Sequence, residues 1–221
     1  MSSLSIHRRI CYVLQGILFL ELLVALWQRN WLPAFTSSGI IAITLIPFFV
    51  ERRFRVHIPP QFQLMGIGFA FASLFLGEVR GYYTKFWWWD IVLHTTSGLL
   101  LGIVGFLLVH VLNEIEKIGM QLKPGFVAFF AFLFAVGLGA LWEIFEFSMD
   151  TLFGTNMQKP MLHDPSGLLD TMVDLIVDTL GALVISVFGY HHLKVVGSTS
   201  FLERWIEHFI AKNPHLFSRH R

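Results

Sequence analysis

WWWDIVLHTTSG, residues 87–98, opens an apolar run that continues to residue 112. Its length decides the fold, because about 20 consecutive apolar residues cross a bilayer as an α-helix. Three tryptophans fit the aromatic belt of a membrane surface. Asp90 and His94, however, fall one helical turn apart on one face, just below that belt. An acid and a base at that depth need a separate explanation.

The rest of the chain repeats the pattern. Of 221 residues, 55% are hydrophobic, only 14% are charged and 23 are phenylalanine. Soluble domains run at roughly 45–50% apolar and 25% charged, so this is a membrane composition. Apolar runs lie at 10–28, 31–50, 61–77, 88–112, 124–147 and 168–190. They are continuous rather than alternating, which excludes a β-barrel. The expected class is all-α: a polytopic membrane helix bundle with about six transmembrane helices. The first run follows Arg8 and Arg9, exceeds the length of a signal-peptide core and ends in WQRNWLP rather than a small-residue cleavage site, so it reads as a retained span. The single cysteine, Cys11, excludes an internal disulfide and a cysteine metal cluster within one chain. A net charge of +1, with no dense basic run, gives no basis for nucleic-acid binding.

Orientation follows from lysine and arginine. With the N-terminus inside, 12 of the 16 basic residues fall in inner segments and 4, Arg29, Arg80, Lys85 and Lys159, fall outside. The expectation is N-in, C-in in an inner (plasma) membrane, with residues 1–190 forming the six-span bundle and 191–221 a cytoplasmic tail. Within the tail, FLERWIEHFI (201–210) sets Phe201, Leu202, Trp205, Ile206 and Phe209 against Glu203, Arg204, Glu207 and His208, the pattern of a short amphipathic interfacial helix. The expected partner throughout is the lipid bilayer.

The acids distribute the other way. Glu78, Asp90, Glu143, Glu146, Asp150, Asp164, Asp170, Asp174 and Asp178 lie outside or in outer helix ends, so 9 acids face 4 bases there. Asp90 and His94 occupy the outer turns of the fourth span. Glu143 and Glu146 reach the same level from the fifth, with Asp150 continuing their stripe. Asp170, Asp174 and Asp178 share one face of the sixth, descending about 12 Å at 1.5 Å per residue. Only Glu21 stands apart, near mid-span in the first helix, where it reads as a protonated or hydrogen-bonded structural group. His163 and Asp164 read as solvated loop residues.

A charged carboxylate at the bilayer centre costs about 2.5–3.5 kcal/mol, and less near the interface. Converging carboxylates also repel one another unless a cation binds or they take up protons. Oxygen ligands with one imidazole suit a divalent ion such as Mg²⁺, Mn²⁺, Fe²⁺ or Zn²⁺. His94 with one to three carboxylates makes a first coordination sphere, and the remaining acids orient it. Familiar membrane chemistries lack their residues here. A diiron desaturase needs many histidines, a CDP-alcohol phosphotransferase needs D-x2-D-G-x2-A-R, and an intramembrane serine protease needs a GxSx nucleophile with a histidine. A lipid phosphatase of the acid-phosphatase type needs a basic signature and two histidines.

Three motifs in order, D-x3-H in DIVLH, E-x2-E in ALWEIFEF and D-T-x2-D in DTMVDLIVDTLGAL, resemble the YjdF-type family of multi-span bacterial inner-membrane proteins, which has no assigned activity. The similarity covers about residues 60–190. It implies a set of positions, Asp90, His94, Glu143, Glu146, Asp170 and Asp174, and no substrate. Asp178 departs from the family pattern, which has a small residue at that place, so the resemblance gives it no ligand role.

Three functions fit these observations. One is an enzyme whose metal activates water or polarises a lipid-linked or extracytoplasmic substrate, with Glu143 and Asp174 as candidate bases. Another is a cation- or proton-coupled transporter whose path the acids line. The third is a non-catalytic membrane subunit held by a polar clamp. The inner halves of the last three spans hold no acid and only His110, which favours a blind pocket open to the outside.

Overall fold

The computed structural model describes residues 6–55, 57–114, 122–161, 164–195, 209 and 211–214. Helices α1 (Ile6–Trp27), α2 (Trp31–Phe54), α3 (Pro60–Ala70), α4 (Tyr82–Lys85), α5 (Trp89–Glu114), α6 (Pro124–Phe153) and α7 (Leu168–Val195) follow one another, and no strand forms among the described residues. Among the described residues, six stretches are long and apolar enough to cross a membrane: Ile6–Trp27, Ala34–Arg53, Pro60–Val79, Trp89–Val109, Pro124–Phe153 and Leu168–His191. The protein is an all-α, multi-pass membrane protein. Most of the amphipathic segment at 201–210, and His163, lie outside the described residues.

The helices group into two compact units, Met1–Trp89 and Asp90–Arg221, each with three spans. In the first unit α1 packs on α2 and α3, with Leu18, Ile40 and Phe75 buried at the centre. Two features were not legible in the sequence. Residues Phe71–Val79 continue α3 as a π-helix, a widened turn that is rare except as an insertion. Gly77 in that stretch lies against the Tyr83 ring, whose Cζ would sit 2.7 Å from any added Cβ. The other feature is the partner of Glu21. Arg80 Nη2 lies 2.7 Å from Glu21 Oε2 and its guanidinium caps the Phe75 ring at 5.1 Å. Glu21 is therefore a hydrogen-bonded, ion-paired group.

The second unit carries the acids. Small residues let its helices approach closely, as at interfaces between spanning helices generally. Gly98 of α5 meets the Asp178 carbonyl of α7, and Gly181 of α7 meets the Thr95 carbonyl of α5. On the other flank, a Cβ on Gly105 would stand 2.8 Å from Ala131 Cα of α6. Below this level Phe106, Val109, Val127, Ala128 and Ala131 form a buried cluster between α5 and α6. Outward surfaces stay apolar, with Phe145, Phe147, Leu152 and Phe188 exposed, as contact with lipid chains requires.

Candidate metal centre

α5 starts at Trp89, which places Asp90 in its first turn, where the helix dipole favours an acid. Trp87 is exposed, whereas Trp89 turns to pack edge-on against Tyr82 at 5.0 Å. One turn further in, the His94 ring is buried and faces four carboxylates. Its Nε2 lies 3.7 Å from Asp90 Oδ1 and 3.7 Å from Asp174 Oδ2. Its Nδ1 lies 3.1 Å from Asp178 Oδ2 and 3.8 Å from Glu143 Oε1. Asp90, His94 and Asp174 each offer a ligand atom, and all three atoms lie within 4.8 Å of one another.

The two sides of the imidazole differ. With Asp178 ionised and the ring neutral, the Nδ1–H donates to Asp178, and the Nε2 lone pair then faces Asp90 and Asp174. Asp178 is itself fixed. The Ser97 hydroxyl donates to its Oδ1, and Gly139 of α6 leaves room for Oδ2, which would stand 2.7 Å from an added Cβ. A histidine whose second nitrogen is held by a carboxylate is the usual arrangement of a metal ligand.

The remaining acids surround this core. Glu143 and Glu146 are buried on α6, Asp170 and Asp174 on α7. Both oxygens of Asp174, both of Glu143 and Oδ1 of Asp170 are buried without a hydrogen-bond partner. Thr171 sits beside Glu143 but outside hydrogen-bond geometry, and its hydroxyl oxygen accepts from Gln158 Nε2 at 2.8 Å. Asp170 Oδ2 does have a donor, the Lys159 N–H at 2.6 Å, which ties the α6–α7 connection over the cluster. Buried polar atoms normally have partners, so five orphaned carboxylate oxygens in one place are exceptional.

Two other outer acids organise the connection instead. Asp150 accepts from the Thr155 hydroxyl at 2.5 Å and the backbone N–H groups of Met157 and Gln158 at 2.8 and 2.9 Å, just before Gly154 ends α6 in a left-handed conformation. Asp164 accepts from the Ser166 hydroxyl and N–H and from the Leu169 N–H. These bonds, led by the Ser166 hydroxyl, hold its carboxyl below the usual range. The sequence left the membership of Asp178 open, since only the family resemblance spoke against it, and Asp178 makes the closest carboxylate contact to His94. The available signal was its i+8 position on the Asp170 and Asp174 face.

Five buried acids and the half-buried Asp90 around a single imidazole, in three spanning helices, define a membrane protein with an intramembrane acidic cluster. Residues 10–195 match the family described as "Predicted membrane protein (DUF2238)", and the chain belongs to that family. A relative from Thermotoga maritima (strain MSB8), described as "Uncharacterized protein", is 30% identical over 144 residues, which cover 65% of this chain and 69% of that one. No solved structure matches the chain.

Proposed function

We infer that the second unit binds a divalent cation between Asp90, His94 Nε2 and Asp174, and uses it on a lipid-linked or extracytoplasmic substrate. The observation that carries this reading is Asp174. It is completely buried, one oxygen stands 3.7 Å from His94 Nε2, and neither oxygen has a hydrogen-bond donor. A structural clamp would pair acceptors with donors; this arrangement leaves the acceptors bare, which is expensive in a low-dielectric interior unless a cation is present. The donor set of carboxylates with one imidazole suits Mg²⁺, Mn²⁺, Fe²⁺ or Zn²⁺.

A cation held there would act as a Lewis acid and lower the pKa of bound water. Asp178 fixes the imidazole so that Nε2 faces the ion. Glu143, on the far side of His94, and Asp174 are the candidate proton acceptors, while Glu146 and Asp170 supply negative charge around the ion. The packed cluster of Phe106, Val109, Val127 and Ala131 below the site supports a blind pocket over a conducting path. The excess of basic residues in the segments at the opposite end supports an N-in, C-in arrangement, with the pocket opening outside an inner membrane and residues 191–221 as a cytoplasmic tail.

The test is elemental analysis of protein purified without chelator. Wild type is expected to carry a divalent metal near one per chain, and His94→Ala and Asp174→Asn to lose it. Wild type free of metal, and unable to take up any of these ions, overturns the reading.

A further inference from the structure

Beside the cation cluster lies a second feature that the metal reading does not use. A cavity of about 500 Å³ opens between α6, α7 and their connection, within the size range of small-molecule sites. Ala140, Ile144 and Phe147 of α6 form one wall and Leu168 and Leu175 of α7 the other. Gln158, Ser166 and Thr171 add a few polar atoms toward the connection. Glu143 also lines it, only 3% exposed, with both carboxylate oxygens lacking a hydrogen-bond partner. The same carboxylate is 3.8 Å from His94 Nδ1, so the cavity and the cation cluster meet at Glu143.

We propose that this cavity binds a membrane amphiphile: a single apolar chain between α6 and α7, with a hydroxyl-bearing head at Glu143. The inference rests on the cation reading for any chemistry on the bound amphiphile, but not for binding itself. Two independent observations carry it. The walls are apolar side chains on spanning helices, with Ile144, Phe147 and Leu168 more than half exposed, so in a bilayer they face hydrocarbon and a lipid chain can enter sideways. Glu143 supplies the other half of the recognition. A carboxylate is an acceptor without a donor there, and a ligand hydroxyl is the complement it lacks. An amphiphile so placed brings its head to the Nδ1 side of His94, across the imidazole from the proposed ion. The substrate class is thus a lipid alcohol or its derivative, drawn from the bilayer rather than from water.

The experiment uses the full chain in phosphatidylcholine vesicles and a monoacylglycerol whose chain bears a diazirine. After irradiation, mass spectrometry is expected to find the label on peptides covering 140–147 and 168–175, competed by unlabelled monoacylglycerol. Leu175→Trp, which fills the cavity, is expected to cut this labelling about tenfold, the equivalent of roughly 1.4 kcal/mol, while metal content stays at the wild-type level. Ala140→Leu provides a smaller intrusion from the facing helix if Leu175→Trp does not fold. A probe with the same chain ending in a methyl ester, which has no donor, should label less than the alcohol, and Glu143→Gln should narrow that difference. Labelling spread evenly over the lipid-facing helices and unaffected by Leu175→Trp overturns the proposal. That outcome leaves metal content untouched, so it is distinguishable from failure of the cation reading. Site-specific labelling of a protein that carries no metal supports the cavity and removes the ion instead.

Discussion

Each unit places acid inside spanning helices, and each resolves it differently. In the first, Glu21 has Arg80 at 2.7 Å, a cation supplied by the chain itself from 59 positions away. The second gathers Asp90, Glu143, Glu146, Asp170, Asp174 and Asp178 around one histidine, and five carboxylate oxygens there find no donor. A chain that neutralises a mid-span acid internally in one unit and leaves six together in the other is not short of means to pair them. On the proposed reading, the second arrangement takes its positive charge from a bound cation.

The largest expected effect breaks the support beneath that arrangement. Removing the Asp178 carboxylate in Asp178→Asn, or pushing it aside in Gly139→Ala, releases the His94 ring from its fixed orientation. Such supporting contacts are worth about 10–100-fold in metal affinity. Titration of metal-stripped protein with Mn²⁺ should show a loss of that size in both variants, with Ser97→Ala losing less because only one of the bonds on Asp178 is removed. Unchanged affinity in Asp178→Asn would mean that the imidazole is held by other contacts.

A smaller effect sharpens the contrast from the other unit. Arg80→Ala leaves Glu21 without its cation. The pair is half exposed on the arginine side, so its worth lies between an exposed pair and a buried one, about 1–2 kcal/mol. Thermal unfolding should record that loss, restored in part by the double variant Arg80→Ala, Glu21→Gln. Added divalent ions and chelators should change none of it. A chelator-sensitive Arg80→Ala phenotype would erase the distinction between the units.

The smallest effect concerns the connection over the cluster. Because the folded state holds Asp164 below its ordinary pKa, its bonds to Ser166 and Leu169 contribute fully above the unfolded-state value, about 3.9. They are lost as pH falls through the lower, folded-state value. Hydrogen exchange at Leu169 should therefore lose protection at the acid end of the pH range in wild type. Asp164→Asn should remove that pH dependence while leaving metal content intact.

Much of the fold was legible because membrane spans announce themselves by length and composition, and all six runs became helices. The π-helical stretch Phe71–Val79 was not, since no local residue preference marks it; within it Gly77 lies against the Tyr83 ring. For the acidic cluster, depth was readable: Asp90, His94, Glu143 and Asp174 had to share a level once the direction of each helix was assigned. Lateral placement was not. Asp150 belongs by spacing to the Glu143 and Glu146 stripe, yet it turns into the connection because free N–H groups after Gly154 compete for it. Asp178 meets His94 because Gly98 and Gly181 let α5 and α7 touch and Gly139 clears the space. Those are contacts between helices, and no spacing along one helix encodes them.

The central claim is that the acidic cluster is completed by a divalent cation, and thermal stability of metal-stripped protein tests it most directly. A ligand that binds only the folded state, at roughly 100 times its dissociation constant, stabilises by about 2.7 kcal/mol. Wild type should therefore unfold at a higher temperature with added Mn²⁺, Mg²⁺ or Zn²⁺ and return to its starting value with chelator. His94→Ala should show no such rise, and Glu203→Gln in the tail should keep it. Indifference of the wild type to every ion and chelator, with carboxyl-to-amide changes at Glu143 or Asp174 mild or stabilising, would contradict the account and identify a protonated network in place of a metal centre.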